Sequence, residues 1–190
     1  MELAPNSAGF KEVISAVEKN PELLAHLQFQ SMKSLEDYMI SADYDDYYEI
    51  VKEIEYFYNR RKKYLKSEMD EIERAAQDLN RNENINVSVK DIYDAFDNAS
   101  EITLTNDIWK KLENTESNKI KKGDMKSVMD LAKKYNKQNP KELKSALISG
   151  DYKRPLIIKF GDRYHLVAGN TRLCTAAAIG IKPKVLIAEL

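Results

Sequence analysis

The sequence has few of the residues that form covalent cross-links and metal sites. Among 190 residues it holds one cysteine, Cys174, and two histidines. A single cysteine excludes an internal disulfide and favours a reducing, cytoplasmic setting. One cysteine and two widely spaced histidines also cannot supply the four ligands of a usual zinc site. We therefore predict no metal centre built from these residues.

Long hydrophobic segments are missing as well. No apolar run approaches the ~18 residues needed to cross a bilayer, and the mean hydropathy is −0.58. The N-terminal residues lack the basic start and the apolar stretch of a secretory signal. Charged residues make up 32% of the chain. These features predict a water-soluble protein without a membrane partner.

A strong excess of one charge is absent too, although the charge is unevenly distributed. The net charge is −1, yet residues 151–190 hold seven lysines and arginines against three acidic residues. The chain as a whole is therefore not expected to attract nucleic acid, while its basic C-terminal end suits an anionic ligand.

Helical periodicity dominates the first half of the chain. Apolar residues recur at spacings of three and four between residues 9 and 81, and Ser88 followed by Asp91 predicts a capping box at the start of another helix. We predict a helical region over residues 1–100 that either binds a protein partner or self-associates. The basic cluster at residues 60–66 is interpreted as a solvated helix face, with a nucleic-acid patch as the alternative.

Residues 101–190 are predicted to form a second domain. Its first part contains short helices separated by residues that end or start helices, namely Gly123, Pro140 and Gly150. From residue 154 the pattern changes to short β-branched runs. The predicted fold class is therefore α+β, with a helical N-terminal region followed by a small mixed β-sheet with helices.

The C-terminal pattern predicts a β-hairpin, a helix and a final strand. "RPLIIKF" and "RYHLV" are separated by Gly161-Asp162, the glycine-first order of a type II′ turn. The alanine-rich run that follows has Asn170 or Thr171 as its expected N-cap and Gly180 at its end. "KVLIAEL" then reads as the last strand.

The junction Gly169-Asn170-Thr171-Arg172 is the strongest candidate for a binding site. A helix N-terminus exposes unpaired N–H groups and a partial positive charge, and glycine lets a ligand approach the backbone. Thr171 adds a hydroxyl, and Arg172 adds a planar fork suited to phosphate or carboxylate. The alternative is structural, with Asn170 or Thr171 capping the helix and Arg172 pairing with a nearby carboxylate.

This arrangement resembles the core of the ParB/sulfiredoxin-like superfamily, in which a hairpin strand runs into a G-x-x-R turn. Gly169 and Arg172 match the motif, Pro155 matches the proline before the hairpin, and Ala176 and Ala177 match the small residues that pack the helix on the sheet. The resemblance is good over residues 154–188, fair back to residue 106 and absent before it. It implies that nucleotide phosphates bind at residues 169–172.

The departures from the family pattern restrict the expected chemistry. Asn170 stands where sulfiredoxins carry the cysteine of their turn, and Cys174 falls inside the predicted helix, so sulfiredoxin-type redox chemistry is not expected. Thr171 replaces the first arginine of the chromosome-partition proteins. The resemblance also implies a carboxylate base in phosphate-transferring members, and the sequence does not locate one.

The resulting prediction is a protein that binds ATP or CTP with Mg²⁺, either as a phosphotransferase or as an NTPase in nucleic-acid metabolism. Gly169, Asn170, Thr171 and Arg172 would bind the nucleotide. Arg172 and the strand-borne His165 are the candidate catalytic residues, although His165 also fits a half-buried packing role. The alternative is a DNA-binding adaptor or nuclease without nucleotide turnover, and the enzymatic class stays open.

Overall fold

A computed structural model describes residues 8–42, 44–82, 85–135 and 139–190. The chain divides into two compact units, Met1–Ser67 and Glu68–Leu190. The boundary that the sequence suggested, at residues 100 and 101, instead coincides with the start of the β-sheet. The second unit therefore includes helices that we expected to belong to the first.

The described part of the first unit consists of helices joined by short connections. Its elements are α1 (Ala8–Lys19), α2 (Glu22–His26), α3 (Met32–Ser41) and α4 (Tyr44–Ser67). Apolar residues at helical spacing from all four helices form one core, which is centred on Val13, Val17, Leu23, Leu35 and Met39. Because α1 to α3 are short, their stability comes mainly from this shared burial and not from intrinsic helix propensity.

A polar cluster lies beside that core. The guanidinium of Arg61, which is only 7% exposed, donates to Oδ1 of Asn20 at 2.6 Å and forms an ion pair with Glu22. Nδ2 of Asn20 in turn donates to the hydroxyl of Tyr58 at 2.7 Å. Burial of these groups is tolerated because each has a partner, so Arg61 is a structural residue of this unit.

The second unit contains the remaining described helices and all described strands. The helices are α5 (Met69–Asn82), α6 (Val89–Ala95), α7 (Asn106–Lys111), α8 (Met125–Lys134), α9 (Pro140–Ser149) and α10 (Asn170–Ile179). The strands are β1 (Ser100–Thr103), β2 (Leu112–Glu113), β3 (Leu156–Phe160), β4 (Arg163–Ala168) and β5 (Lys184–Glu189). The mixed α+β class predicted from the sequence is confirmed.

The five strands form one mixed sheet in the order β1-β5-β3-β4-β2. β3 pairs antiparallel with β4 and parallel with β5, while β1 is antiparallel to β5 and β2 is parallel to β4. Ile157, Leu166 and Val185 of the sheet pack with Leu173 of α10 in a buried apolar cluster. A smaller cluster joins α10 to α8, so α10 is held between the sheet and a neighbouring helix.

Several local predictions are confirmed. Ser88 and Asp91 form the predicted capping box in both directions. Pro140 is the first residue of α9, and Gly150 ends that helix in the left-handed conformation. In the hairpin turn, Gly161 has a φ of 57°. These outcomes depend on short-range chemistry alone, which explains why the sequence revealed them.

Two predictions about helices need correction. The amphipathic pattern from residue 43 to residue 81 by itself indicates one long helix, but α4 ends at Ser67 and α5 begins at Met69. The pattern of residues 106–115, "NDIWKKLENT", indicates one short helix. The structure has α7 there, but Leu112 and Glu113 of the same segment form β2, and β1 precedes the segment. Both strands lie at the sheet edges, where pairing with a partner strand and not local sequence decides the conformation.

Candidate functional site

Gly169 joins β4 to α10 in a conformation that only glycine adopts readily. Its φ is 104°, and a Cβ atom at this position would lie 2.9 Å from Cα of Pro155. Gly169 is also the N-cap of α10, and no side chain caps this helix end. The predicted cap by Asn170 or Thr171 is therefore wrong: both residues belong to the first turn of the helix.

A cavity of about 440 Å³ opens at this helix N-terminus. Residues 169–172 contribute to its wall, together with residues from α5, from the loop after β2 and from β4. Since a helix N-terminus concentrates N–H groups and partial positive charge, this wall has the local chemistry of an anion site. The volume lies within the range of small-molecule sites.

The guanidinium of Arg172 already has partners within the protein. Its Nη2 lies 3.0 Å from Oε1 of Glu68, and both side chains are 12% exposed. Its Nη1 donates to the backbone carbonyls of Lys153 at 2.9 Å and of Arg154 at 3.3 Å. The structural alternative for Arg172, an internal ion pair, is therefore the one that the structure contains.

Asn170 is also engaged internally. Its Oδ1 accepts the hydroxyl of Thr115 at 2.9 Å and the backbone N–H of Glu116 at 3.1 Å. Its Nδ2 donates to the carboxylate of Glu116, which also accepts the hydroxyl of Tyr135 at 3.3 Å. Asn170 thus fixes the loop after β2 against the start of α10 and orients Glu116 at the cavity.

Thr171 has fewer side-chain hydrogen bonds within the described residues than Asn170 or Arg172. It is half-buried and lines the cavity, and its hydroxyl has no hydrogen-bonding partner among the described residues. Its backbone carbonyl accepts the hydroxyl of Thr175 at 2.8 Å. Thr171 is therefore the motif residue whose side chain could contact a ligand without breaking an existing hydrogen bond.

His165 lies on β4 and is 5% exposed. Its Nε2 lies 3.4 Å from Nδ2 of Asn114, which also donates to the carbonyl of Leu166 at 3.2 Å. Asn114 lines the cavity, whereas His165 is not among the lining residues. His165 is therefore buried beside a residue of the cavity wall and does not itself line the cavity.

Carboxylates dominate the side-chain charge of the cavity wall. The acidic residues are Glu68, Glu71, Asp78 and Glu116, and the basic ones are Arg74 and Arg172. Arg74 pairs with Glu71 at 3.3 Å, and Arg172 pairs with Glu68. Asp78 and Glu116 have no cationic partner among the described residues. A ligand carrying only negative charge would be repelled by these two carboxylates.

Cys174 is fully buried four residues into α10. Burial, with a smaller effect from Glu116, raises the pKa of its thiol to about 12. A thiol with such a pKa is almost entirely protonated at neutral pH and is a poor nucleophile.

Glu68, Asn114 and Glu116 belong to this site and were missed in the sequence. Glu68 is 104 residues away from Arg172, and no local pattern connects the two. Asn114 has a φ of 58°, a left-handed conformation that asparagine tolerates better than most residues. Glu116 follows it in an ordinary polar segment that gives no sequence signal of a site.

Comparisons with known proteins do not identify a family for this chain. No protein-family model matches the chain, and no curated protein or solved structure matches it either. The ParB/sulfiredoxin-like resemblance thus rests on the sequence pattern alone. Among the described residues, none of the helices combines the length and apolar character needed to cross a membrane.

Proposed function

We propose that this protein binds a nucleoside triphosphate as its Mg²⁺ complex, with the phosphates at the first turn of α10. The observation that carries the proposal is the N-terminal end of α10. There the N-cap residue is Gly169, no side chain caps the helix, and a cavity of about 440 Å³ opens beside it. Phosphate groups suit such a position because backbone N–H groups and the helix dipole both favour negative charge.

The charge of the cavity wall explains why the ligand should carry a metal ion. Mg²⁺ prefers oxygen ligands, keeps several waters and usually takes only one or two protein carboxylates besides phosphate oxygens. Asp78 and Glu116 fit that donor set and would hold the ion. The described residues contain no group of three or more acidic, histidine or cysteine side chains able to hold a metal, so the ion would arrive with the nucleotide.

The roles of the motif residues follow from their contacts. Backbone amides of the first turn would bind phosphate oxygens, and Thr171 would add its hydroxyl. Asn170 would act through Glu116, whose carboxylate it orients. Arg172 would hold the turn in place through Glu68 and two backbone carbonyls. Bound Mg²⁺ supplies charge neutralisation, which is the main requirement if a phosphoryl group is transferred.

No specific observation favours the DNA-binding alternative. At least five of the seven basic residues in 151–190 form ion pairs with carboxylates, namely Arg154, Lys159, Arg163, Arg172 and Lys184. Their positive charge is thereby largely neutralised within the unit, which removes the main reason to expect a phosphate-backbone contact there. We therefore develop the nucleotide proposal only.

A thermal-shift panel with ATP, CTP, GTP and UTP, each with and without Mg²⁺, tests the proposal. A ligand at 100 times its dissociation constant adds about 2.7 kcal/mol of stability. Thr171→Glu places a carboxylate at the helix N-terminus, where it suits the helix dipole but repels phosphate. Thr171→Gln is the neutral control of similar size.

We expect a Mg²⁺-dependent shift in the wild type, a smaller one in Thr171→Gln, which lacks the hydroxyl, and none in Thr171→Glu. Equal shifts in both variants would place the nucleotide elsewhere. The absence of a shift with all four nucleotides would overturn the proposal.

A further inference from the structure

Helix α4 in the first unit carries opposite charges on its two halves. The acidic residues lie in its N-terminal half: Asp45, Asp46, Glu49, Glu53 and Glu55. The basic residues lie near its C-terminal end: Arg60, Arg61, Lys62, Lys63 and Lys66. Within α4 the one exception is Lys52, a basic residue in the acidic N-terminal half, which pairs with Glu49 at 2.5 Å. We call these two groups the acidic half and the basic half of α4.

The helix dipole explains only part of this segregation. Acidic residues are stabilised in the first turn of a helix and basic residues in the last turn, and the effect falls off within those turns. Glu53, Glu55 and Arg60 lie well inside the helix, where the dipole has little influence. The separation of charges therefore requires another reason.

Few carboxylates of the described residues neutralise the positive charge of the basic half. Arg61 is buried and pairs with Glu22, but the other four cations are exposed and have no ion-pair partner among the described residues. The centres of the two halves are about 13 residues apart, or roughly 20 Å along a helix. That distance exceeds the Debye length of about 8 Å at physiological salt, so the halves neutralise each other poorly.

Two tyrosines are exposed on the same helix. Tyr48 is 52% exposed in the acidic half, and Tyr56 is 58% exposed between the halves. The charged residues Asp45, Glu49 and Lys63 lie within about 20° of Tyr56 around the helix, given a rotation of about 100° per residue. Tyr56 therefore lies on a face that has negative charge on one side and positive charge on the other.

We propose that α4 is a self-association surface, on which a second copy of this chain packs its own α4 in antiparallel orientation. Such a pairing sets each acidic half against the basic half of the other copy, and two-fold symmetry forms every contact twice. Tyr56 lies near the midpoint and packs against its symmetry mate. A parallel arrangement would set like charges against each other.

The same observations disfavour nucleic acid as the partner of the basic half. Phosphate backbones are uniformly negative, and the acidic half of α4 would repel them a few turns away. Residues 1–67 as a whole hold nine lysines and arginines against twelve acidic residues. A second copy offers both charges in the required order, which a polyanion cannot do.

Sedimentation of the 190-residue protein at several concentrations and salt levels tests the proposal. One variant reverses the basic residues nearest the face of Tyr56, Arg60→Glu with Lys63→Glu and Lys66→Glu. A second reverses the acidic half, Asp45→Lys with Asp46→Lys and Glu49→Lys. A third combines all six changes. The control, Lys126→Glu with Lys141→Glu and Lys144→Glu, makes the same change in net charge at exposed lysines of α8 and α9.

We expect the wild type and the control to form dimers that weaken at least tenfold between about 50 and 500 mM salt. Each half-reversed variant should be monomeric alone, and the two should form a dimer when mixed. The sixfold variant should dimerise again. Far-UV circular dichroism verifies that every variant keeps its helices.

Three results would overturn the proposal. The first is a wild-type protein that stays monomeric up to roughly 1 mM, the concentration of a very weak interaction. The second is a dimer that persists after reversal of the basic half. The third is salt-sensitive binding of the wild type to short duplex DNA that the basic-half reversal abolishes, because it would assign this surface to nucleic acid.

Discussion

Nη2 of Arg172 and Oε1 of Glu68 are 3.0 Å apart, and each side chain is 12% exposed. The residue that the G-x-x-R pattern offered as a phosphate ligand is thus part of a nearly buried internal ion pair. The backbone carbonyls of Lys153 and Arg154 accept hydrogen bonds from Nη1 of Arg172. Arg172 therefore joins Glu68, the residue before α5, and the segment before β3 to the first turn of α10.

Removing Arg172 should destabilise the second unit strongly. Arg172→Ala leaves the carboxylate of Glu68 nearly buried without its partner, and breaking such a pair costs about 3–5 kcal/mol. The double variant with Glu68→Ala should lose less than the sum of the two single variants, because it removes both charges. Urea denaturation gives the free energy of unfolding for all four proteins of this cycle.

The surface pair of Arg163 and Glu113 provides the comparison. These side chains are 44% and 34% exposed, so Arg163→Ala should cost about 1 kcal/mol or less. An Arg172→Ala protein of wild-type stability would show that the pair with Glu68 does not stabilise the second unit. It would then favour the alternative predicted from the sequence, in which the guanidinium of Arg172 binds a ligand.

Replacing Gly169 should strain the turn. Gly169→Ala forces a φ of 104° on a residue with a Cβ and brings that atom to 2.9 Å from Pro155. We expect a loss of roughly 1–3 kcal/mol and a lower unfolding midpoint in urea. Gly123→Ala is the matched control, because Gly123 has a φ of 90° but no atom near the added methyl. Equal losses in both would mean that the contact with Pro155 has no effect.

Glu101 should make stability depend on acid pH. Burial alone raises the pKa of its carboxyl, but the partners Arg154 and Lys184 outweigh burial and hold the pKa below its ordinary value. A lowered folded-state pKa stabilises the protein above the unfolded value of about 4.3. That contribution is lost as the pH falls through the folded-state pKa.

Glu101→Gln should therefore be less stable than the wild type at pH 7, by on the order of 1 kcal/mol. The difference should shrink as the pH falls through the folded-state pKa of Glu101, because the wild-type carboxyl then becomes protonated. Urea unfolding measured from pH 7 to pH 3 gives both curves. A constant difference across this range would show that the charge of Glu101 is not what matters.

Cys174 should be unreactive in the folded protein. Its thiol is buried and has a pKa of about 12, so thiol reagents at pH 7.5 should modify it only after unfolding in urea. Mass spectrometry counts the added groups. Rapid modification of the native protein would mean that α10 opens readily at its first turns.

The sequence predicted features that depend on neighbouring residues. The hairpin turn at Gly161, the capping box of Ser88 and the end of α9 at Gly150 each follow from the conformational preferences of one or two residues. The existence of a strand-to-helix junction at Gly169 could be predicted for the same reason.

Features that depend on distant partners could not be predicted. The pairing of Arg172 with Glu68 and the bonding of Asn170 to Glu116 join segments 104 and 54 residues apart. The edge strand β2 is only two residues long and exists through its pairing with β4. The sequence therefore located the turn correctly but could not show that two of its polar side chains have internal partners.

The most direct test of nucleotide binding at α10 follows backbone amide signals by nuclear magnetic resonance. Mg²⁺ with ATP or CTP is titrated into ¹⁵N-labelled protein. The binding proposal predicts saturable shifts in the amides of Asn170, Thr171 and Arg172 that are far larger than those of Lys141 and Glu142 at the N-terminus of α9. Binding that leaves these three amides unchanged, or no saturable change with either nucleotide, would contradict it.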